Sequence, residues 1–240
     1  MPFNINDFIT NQQRFTQVAN EEVFIHLCDF NVTAYNDDFF RQLGIEFPAS
    51  LDRAVTKRRA EYLAGRSCAK TALAGLEISD FTINAGKNRC PVWPQGVFGS
   101  ITHSHNSALA VVTRKPQVMG LGIDIENVIS AKTMADVADS ILFNDDFAWL
   151  DLPGTNRETL FSLIFSIKES FFKAAYPSTG YYFDFDAVRV TGLDINQGSF
   201  ELQLCQELNP KLTKGMMFSG QCCFVGEQVL SFLLIEPTAP

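Results

Sequence analysis

Apolar and polar positions follow a helical or a strand period along most of the chain, and one helical pattern spans residues 157–176, ahead of Pro177 and Gly180. At about 100° per residue, Glu158, Ser162, Ser166, Glu169, Ser170 and Lys173 fall on one polar stripe. Leu163, Ile164, Ile167, Phe171, Ala174 and Ala175 spread over the opposite side. Glu169 and Lys173 are four apart and therefore neighbours across one turn. Lys168 is the odd member, because its direction points into the apolar wedge. A second pattern, residues 120–126, alternates strictly: Leu121, Ile123 and Ile125 face one side of a strand, and Gly122, Asp124 and Glu126 the other. Two carboxylates on one strand face repel each other unless a cation sits between them. The glycine beside them leaves room for a ligand's backbone or phosphate. Asp124, Glu126 and a helical Glu169 together would offer an all-oxygen site suited to a hard cation such as Mg²⁺.

The remaining pattern predicts strands at 22–30, 97–102, 107–113, 183–190, 200–205, 216–225 and 229–235, with short helices at 36–43 and 133–142. A longer helix is expected from 51 to 76 with Ser50 as its cap. The turn at Arg114-Lys115-Pro116-Gln117 divides the chain into an N-terminal lobe, 1–116, and a C-terminal lobe, 117–240. Each half then supplies one long helix and several strands, which points to an α+β fold built from two similar lobes.

Composition narrows this picture. The 240 residues, 46% of them hydrophobic with 22 phenylalanines, are enough for substantial cores. A net charge of −8 argues against general nucleic-acid or acidic-membrane binding, so an anionic ligand needs a local basic cluster. The 51–76 segment supplies one in Arg53, Lys57, Arg58, Arg59, Arg66 and Lys70, with Arg59, Arg66 and Lys70 on one face. The Thr102-His103-Ser104-His105-Asn106 turn adds hydroxyl and imidazole donors. The six cysteines show no C-x-x-C spacing and there are three histidines, so no zinc pattern exists, and reduced, mostly buried thiols are expected. Neither a signal peptide nor an apolar run long enough to span a membrane is visible, and a soluble cytoplasmic protein is the expectation.

Four blocks carry a family resemblance. Gly122-Ile123-Asp124-Ile125-Glu126 followed by Phe165-Ser166-Ile167-Lys168-Glu169-Ser170-Phe171-Phe172-Lys173 resembles the paired signature of the 4′-phosphopantetheinyl transferases. Arg58-Arg59-Ala60-Glu61-Tyr62-Leu63-Ala64-Gly65-Arg66 is similar to the Sfp-type, EntD-like branch, as is the stretch from Pro91-Val92-Trp93-Pro94 to Thr102-His103-Ser104. The resemblance implies a pseudo-dimer of two α+β lobes with coenzyme A in the cleft between them. It implies transfer of the phosphopantetheine arm of coenzyme A to a serine of an acyl, peptidyl or aryl carrier protein, with release of 3′,5′-ADP, in a siderophore or other nonribosomal peptide pathway. By the same resemblance Asp124, Glu126 and Glu169 would hold Mg²⁺ on the pyrophosphate, and Lys173, with Lys168, would meet phosphate charge. Thr102 and His103 would bind the 3′-phosphate, helped by Arg59 or Arg66, with Arg89 or Lys87 near the nucleotide. Glu169 is favoured as the base for the carrier serine, directly or through water, with Lys173 stabilising phosphoryl charge. Where some members place another glutamate, this chain has Phe143-Asn144-Asp145-Asp146-Phe147. Carrier domains are usually acidic, so docking on this acidic chain is expected to rely on apolar contacts, and internal duplication makes a monomer sufficient. The competing readings are a non-catalytic binder of coenzyme A or carrier proteins, and a Mg²⁺-dependent nuclease, against which the acidic charge counts.

Overall fold

The computed structural model describes residues 4–18 and 22–237; residues 1–3 and 19–21 of the polar N-terminal stretch, and 238–240, lie outside it. The chain divides into two compact units, Met1–Pro116 and Gln117–Pro240.

The first unit runs α1 (Ile5–Phe8), β1 (Ile9–Phe15), β2 (Val23–Phe30), α2 (Asp38–Leu43), α3 (Thr56–Ala74), β3 (Phe98–Ser104) and β4 (Ser107–Thr113). Its four strands form an antiparallel sheet in the order β1-β2-β4-β3. On α3, Ala60, Ala64, Cys68 and Ala72 recur at steps of four and pack with Ala108, Ala110 and Val112 of β4 in one apolar core. Small side chains on both surfaces let helix and sheet approach closely. Strand β1 escapes the sequence pattern because its five central residues are all exposed, and an edge strand with two wet faces has no alternation to detect. A bulge between Thr10 and Gln13, with Asn11 at φ +48°, breaks its regular edge. Helix α3 begins at Thr56 and not at residue 51. Residues Ala49–Leu51 form a separate 3₁₀ turn, so Ser50 does not cap it, and Val55 stands at the N-cap without a side-chain hydrogen bond. Helix α2 closes on Gly44, at φ +61°.

The second unit runs β5 (Gly120–Asn127), α4 (Ala131–Ile141), α5 (Arg157–Thr179), β6 (Val188–Asp194), β7 (Ser199–Leu204), β8 (Met217–Val225) and β9 (Gln228–Ile235). Its antiparallel sheet has the order β5-β9-β8-β7-β6. The Asn156 side chain caps α5 by accepting from Thr159 N. Pro177 does not stop α5. Its ring nitrogen forgoes one bond at the end of the helix, and the chain turns out only at Gly180, at φ +70°. The strand expected from residue 183 starts at Val188, because Phe183 and Phe185 pack instead against Phe171, Phe172 and Phe165. Each unit is thus one long helix on one antiparallel sheet, and the α+β class read from the sequence holds.

The contact of α5 with β5 organises the second unit. Added Cβ atoms at Gly120 and Gly122 would lie 2.2 Å from the Ala174 carbonyl oxygen and 1.8 Å from that of Ser170. One step on, Ser166 Oγ donates to the Asp124 carbonyl, and beyond the strand Ser162 Oγ accepts from Ile129 N. Four helical residues rise about 6 Å and two strand residues about 6.6 Å, so rungs at 174, 170 and 166 keep step with 120, 122 and 124. The serine stripe therefore lies at this contact and is buried, where the sequence alone left it on an open polar face. The space at Gly122 belongs to the helix backbone and not to a ligand.

Candidate functional site

In the second unit the β5–α5 ladder fixes three charged side chains. Asp124, buried on β5, receives a 2.5 Å hydrogen bond from Lys173 Nζ on α5. Glu169, one turn before Lys173, is partly buried, and burial raises its carboxyl pKa above the usual value. Lys173 pulls it back down, and the negative charge of Asp124 adds to the rise. Asp124, Glu169 and Lys173 are thus one electrostatic group. Glu126 lies two residues further along the same strand and is half-buried. The carboxylate donors suit a hard divalent cation in kind. Among the described residues, however, no three Asp, Glu, His or Cys side chains are grouped so as to hold a metal ion. The charge beside Asp124 is the Lys173 ammonium.

Lys168 requires a correction. Its side chain is fully buried, and its three donors go to Asp146 Oδ2 (2.6 Å), Ile141 O (2.8 Å) and Phe185 O (3.0 Å). Asp146 in turn accepts from Phe143 N and Val190 N. An ammonium has three hydrogens, so none is left for a phosphate. Lys168 ties α5 to the segment before it and to Phe185, just ahead of β6, and Asp146 extends the tie to Val190 of β6. Asp146, in the Phe143–Phe147 block, is the counter-ion of this buried pair. Beside Glu169 opens a cavity of about 340 Å³, lined by Phe172, Tyr182, Phe183 and Phe185. The rings of Phe172 and Tyr182 stack with centroids 5.6 Å apart.

In the first unit the basic residues converge on two neighbouring cavities, of about 420 and 360 Å³, which share Ser50, Tyr62, Arg66, Ala85 and Arg89. Arg66 stacks over the Tyr62 ring at 4.7 Å and is buried, and among the described residues its Nε has no hydrogen-bond partner. A buried guanidinium that lines both cavities is a place where an anion would be stabilised. Gly65 lets Ile101 of β3 approach α3, since a Cβ there would lie 2.8 Å from Ile101 Cγ2. That approach brings His103 to Arg58, whose Nη1 donates to His103 Nε2 at 3.0 Å. Arginine only donates, so this nitrogen is the acceptor and the imidazole proton sits on Nδ1.

The other expected residues divide. Arg89, at φ +65°, lines both cavities, whereas Lys87 is exposed and lines neither. Arg59 is corrected: it binds the Leu51 and Asp52 carbonyls and the Asp37 carboxylate, and so clamps the loop before α3. Thr102 and His103 belong to β3 and not to a turn, so Thr102 projects to the opposite sheet face from His103 and is buried. Sequence reasoning counted Arg58 only as one of the basic cluster and passed over Glu61, although both stand in the Arg58–Arg66 block. Only the fold sets them beside His103.

Residues 47–113 match the profile of the 4′-phosphopantetheinyl transferase N-terminal domain, and residues 120–216 that of the 4′-phosphopantetheinyl transferase superfamily. An enterobactin synthase component D of Salmonella typhi is 33% identical over 178 residues, covering 74% of this chain and 73% of that protein. The chain belongs to the 4′-phosphopantetheinyl transferase family. The transferase is also similar to the 4′-phosphopantetheinyl transferases Npt of Nocardia iowensis (31% over 180 residues, 75% and 77% of the two chains) and Svp of Streptomyces mobaraensis (35% over 170 residues, 70% and 68%). Its reaction takes coenzyme A as substrate and a carrier protein as acceptor. Among its described residues no helix is long and apolar enough to cross a membrane.

Proposed function

We propose that this transferase moves the phosphopantetheine arm of coenzyme A onto a carrier-protein serine of a siderophore or other nonribosomal peptide pathway, releasing 3′,5′-ADP, with Mg²⁺ as metal. The observation that carries the reading is the Asp124–Lys173–Glu169 group on the β5–α5 ladder. Glu169 accepts the proton of the carrier serine. Its raised proton affinity moves a carboxylate toward the range in which a base works at neutral pH. Lys173 offers its positive charge to the phosphoryl oxygens as the bond to the nucleotide breaks. Asp124, Glu126 and Glu169 would hold Mg²⁺, which would supply Lewis-acid stabilisation of pyrophosphate charge. His103, Arg58, Arg66 and Arg89 hold the 3′-phosphate and the nucleotide. The aromatic cavity beside Glu169 offers apolar walls to the pantetheine arm. Similarity to enterobactin synthase component D supports the siderophore assignment.

The test is a mass-spectrometric assay on an apo peptidyl carrier domain and, in parallel, a fatty-acid carrier, with coenzyme A and Mg²⁺. The expected result is a gain of one phosphopantetheine, faster on the peptidyl carrier, with Glu169→Gln slowing transfer roughly 10²- to 10⁴-fold. Tight coenzyme A binding with no transfer to either carrier would replace this reading with that of a non-catalytic binder.

A further inference from the structure

The smaller of the two basic cavities contains a group that an anion site does not need. Glu61 lines it among Arg53, Arg58, Arg66, Arg89 and His103, and its side chain is only 12% exposed. Glu61 Oε2 lies 3.6 Å from Arg58 Nη1 and 3.9 Å from His103 Nε2, and its Oε1 lies 3.9 Å from Lys57 Nζ. These separations are too long for directional hydrogen bonds. Arg58 is oriented by His103, at 3.0 Å, so Glu61 contributes charge where it contributes little geometry. A carboxylate so placed lowers the positive potential that any incoming phosphate meets, and Arg58 must exchange Glu61 for that phosphate.

We propose that Glu61 is a specificity-determining residue that limits the affinity of this cavity for phosphate monoesters, so that the nucleotide product is released and not retained. The inference rests on the reading that the cavity receives the 3′-phosphate end of coenzyme A. That end is shared by substrate and product, so the cationic set alone would hold both equally well. An internal anion weakens both and lifts the product-release step out of a trap.

The test measures equilibrium binding of coenzyme A, dephospho-coenzyme A and 3′,5′-ADP to the full chain by titration calorimetry at low salt. For Glu61→Gln, coenzyme A and 3′,5′-ADP are expected to bind about five- to tenfold more tightly. Dephospho-coenzyme A should change less than twofold, and the gain should shrink as salt screens the charge. Glu61→Asp, which withdraws the carboxylate by one methylene, should fall between, and reads the same quantity if the glutamine variant does not fold. Unchanged or weaker coenzyme A binding in the variants overturns the proposal, as does equal tightening of dephospho-coenzyme A. Arg58→Ala separates the two readings. If it abolishes the preference for coenzyme A over dephospho-coenzyme A, the cavity assignment stands whatever Glu61 does; if it leaves that preference intact, the assignment itself fails.

Discussion

Glu169 shows how one side chain couples chemistry to stability. Burial and Asp124 raise its carboxyl pKa above the usual 4.5, against the pull of Lys173. A carboxyl with a raised folded-state pKa stabilises the fold fully below its unfolded value and loses that contribution as pH rises through the folded value. Ionisation of Glu169 is therefore a burden on the fold. Glu169→Gln should melt at a higher temperature than the parent at pH 7 without metal, and the difference should vanish as pH falls below about 4.5. Scanning calorimetry across that range decides it; a variant less stable at every pH would show that Glu169 is held by favourable contacts instead. At this scale the sequence was informative where partners are close along the chain: Glu169 and Lys173 share a turn, and Asp124 shares a strand face with Glu126. It did not reveal the partner of Lys168, which is Asp146 twenty-two residues away, nor that of Arg58, which meets His103 across forty-five. Pairing across such separations is set by how helices and strands pack, and no local period records it.

The element that decides the site is the β5–α5 contact. Gly122→Ala would set a Cβ 1.8 Å from the Ser170 carbonyl oxygen, and neither backbone can yield without the rungs above and below shifting. The substitution should destabilise by about 3 kcal/mol and lower kcat, because it moves Glu169 and Lys173 away from Asp124. Urea denaturation and steady-state kinetics check the two halves. An unchanged midpoint would mean that the helix can stand off without cost. If the first-unit cavities hold coenzyme A as proposed, its binding should survive in the folded fraction. The elements misread from sequence failed for physical reasons of the same order. Ser50 looked like a cap, yet a 3₁₀ turn intervenes before α3; Pro177 looked like a stop, yet a proline in the last turn loses only one helical bond. The lone exposed strand β1 carried no hydrophobic period at all.

At the scale of the whole molecule, each unit has its own apolar core: one around α3 and β4, the other around α5 and the β6–β9 strands. The family blocks fall in both units, which is why the activity was legible from sequence while the assignment of individual phosphate contacts was not. A net charge of −8 offers an acidic carrier protein no general attraction. Carrier binding should therefore depend weakly on salt, changing less than about threefold between low and moderate ionic strength, where charge-steered partners lose far more. Surface plasmon resonance with a catalytically silent carrier would show this, and a steep loss of affinity with salt would locate docking on the basic face of α3.

The matched rise of helix and strand has one more consequence, for how this chain can vary. Because Gly120, Gly122 and Asp124 are spaced against Ala174, Ser170 and Ser166, the two signature blocks behave as the paired halves of a ruler. The intervening segment, residues 128–156, can change length only where it spares Ile129, Ile141 and Asp146, which bond to Ser162 and Lys168 of α5. A single residue inserted inside either half would turn a charged side chain to the wrong face, and no change elsewhere in the chain could restore the match.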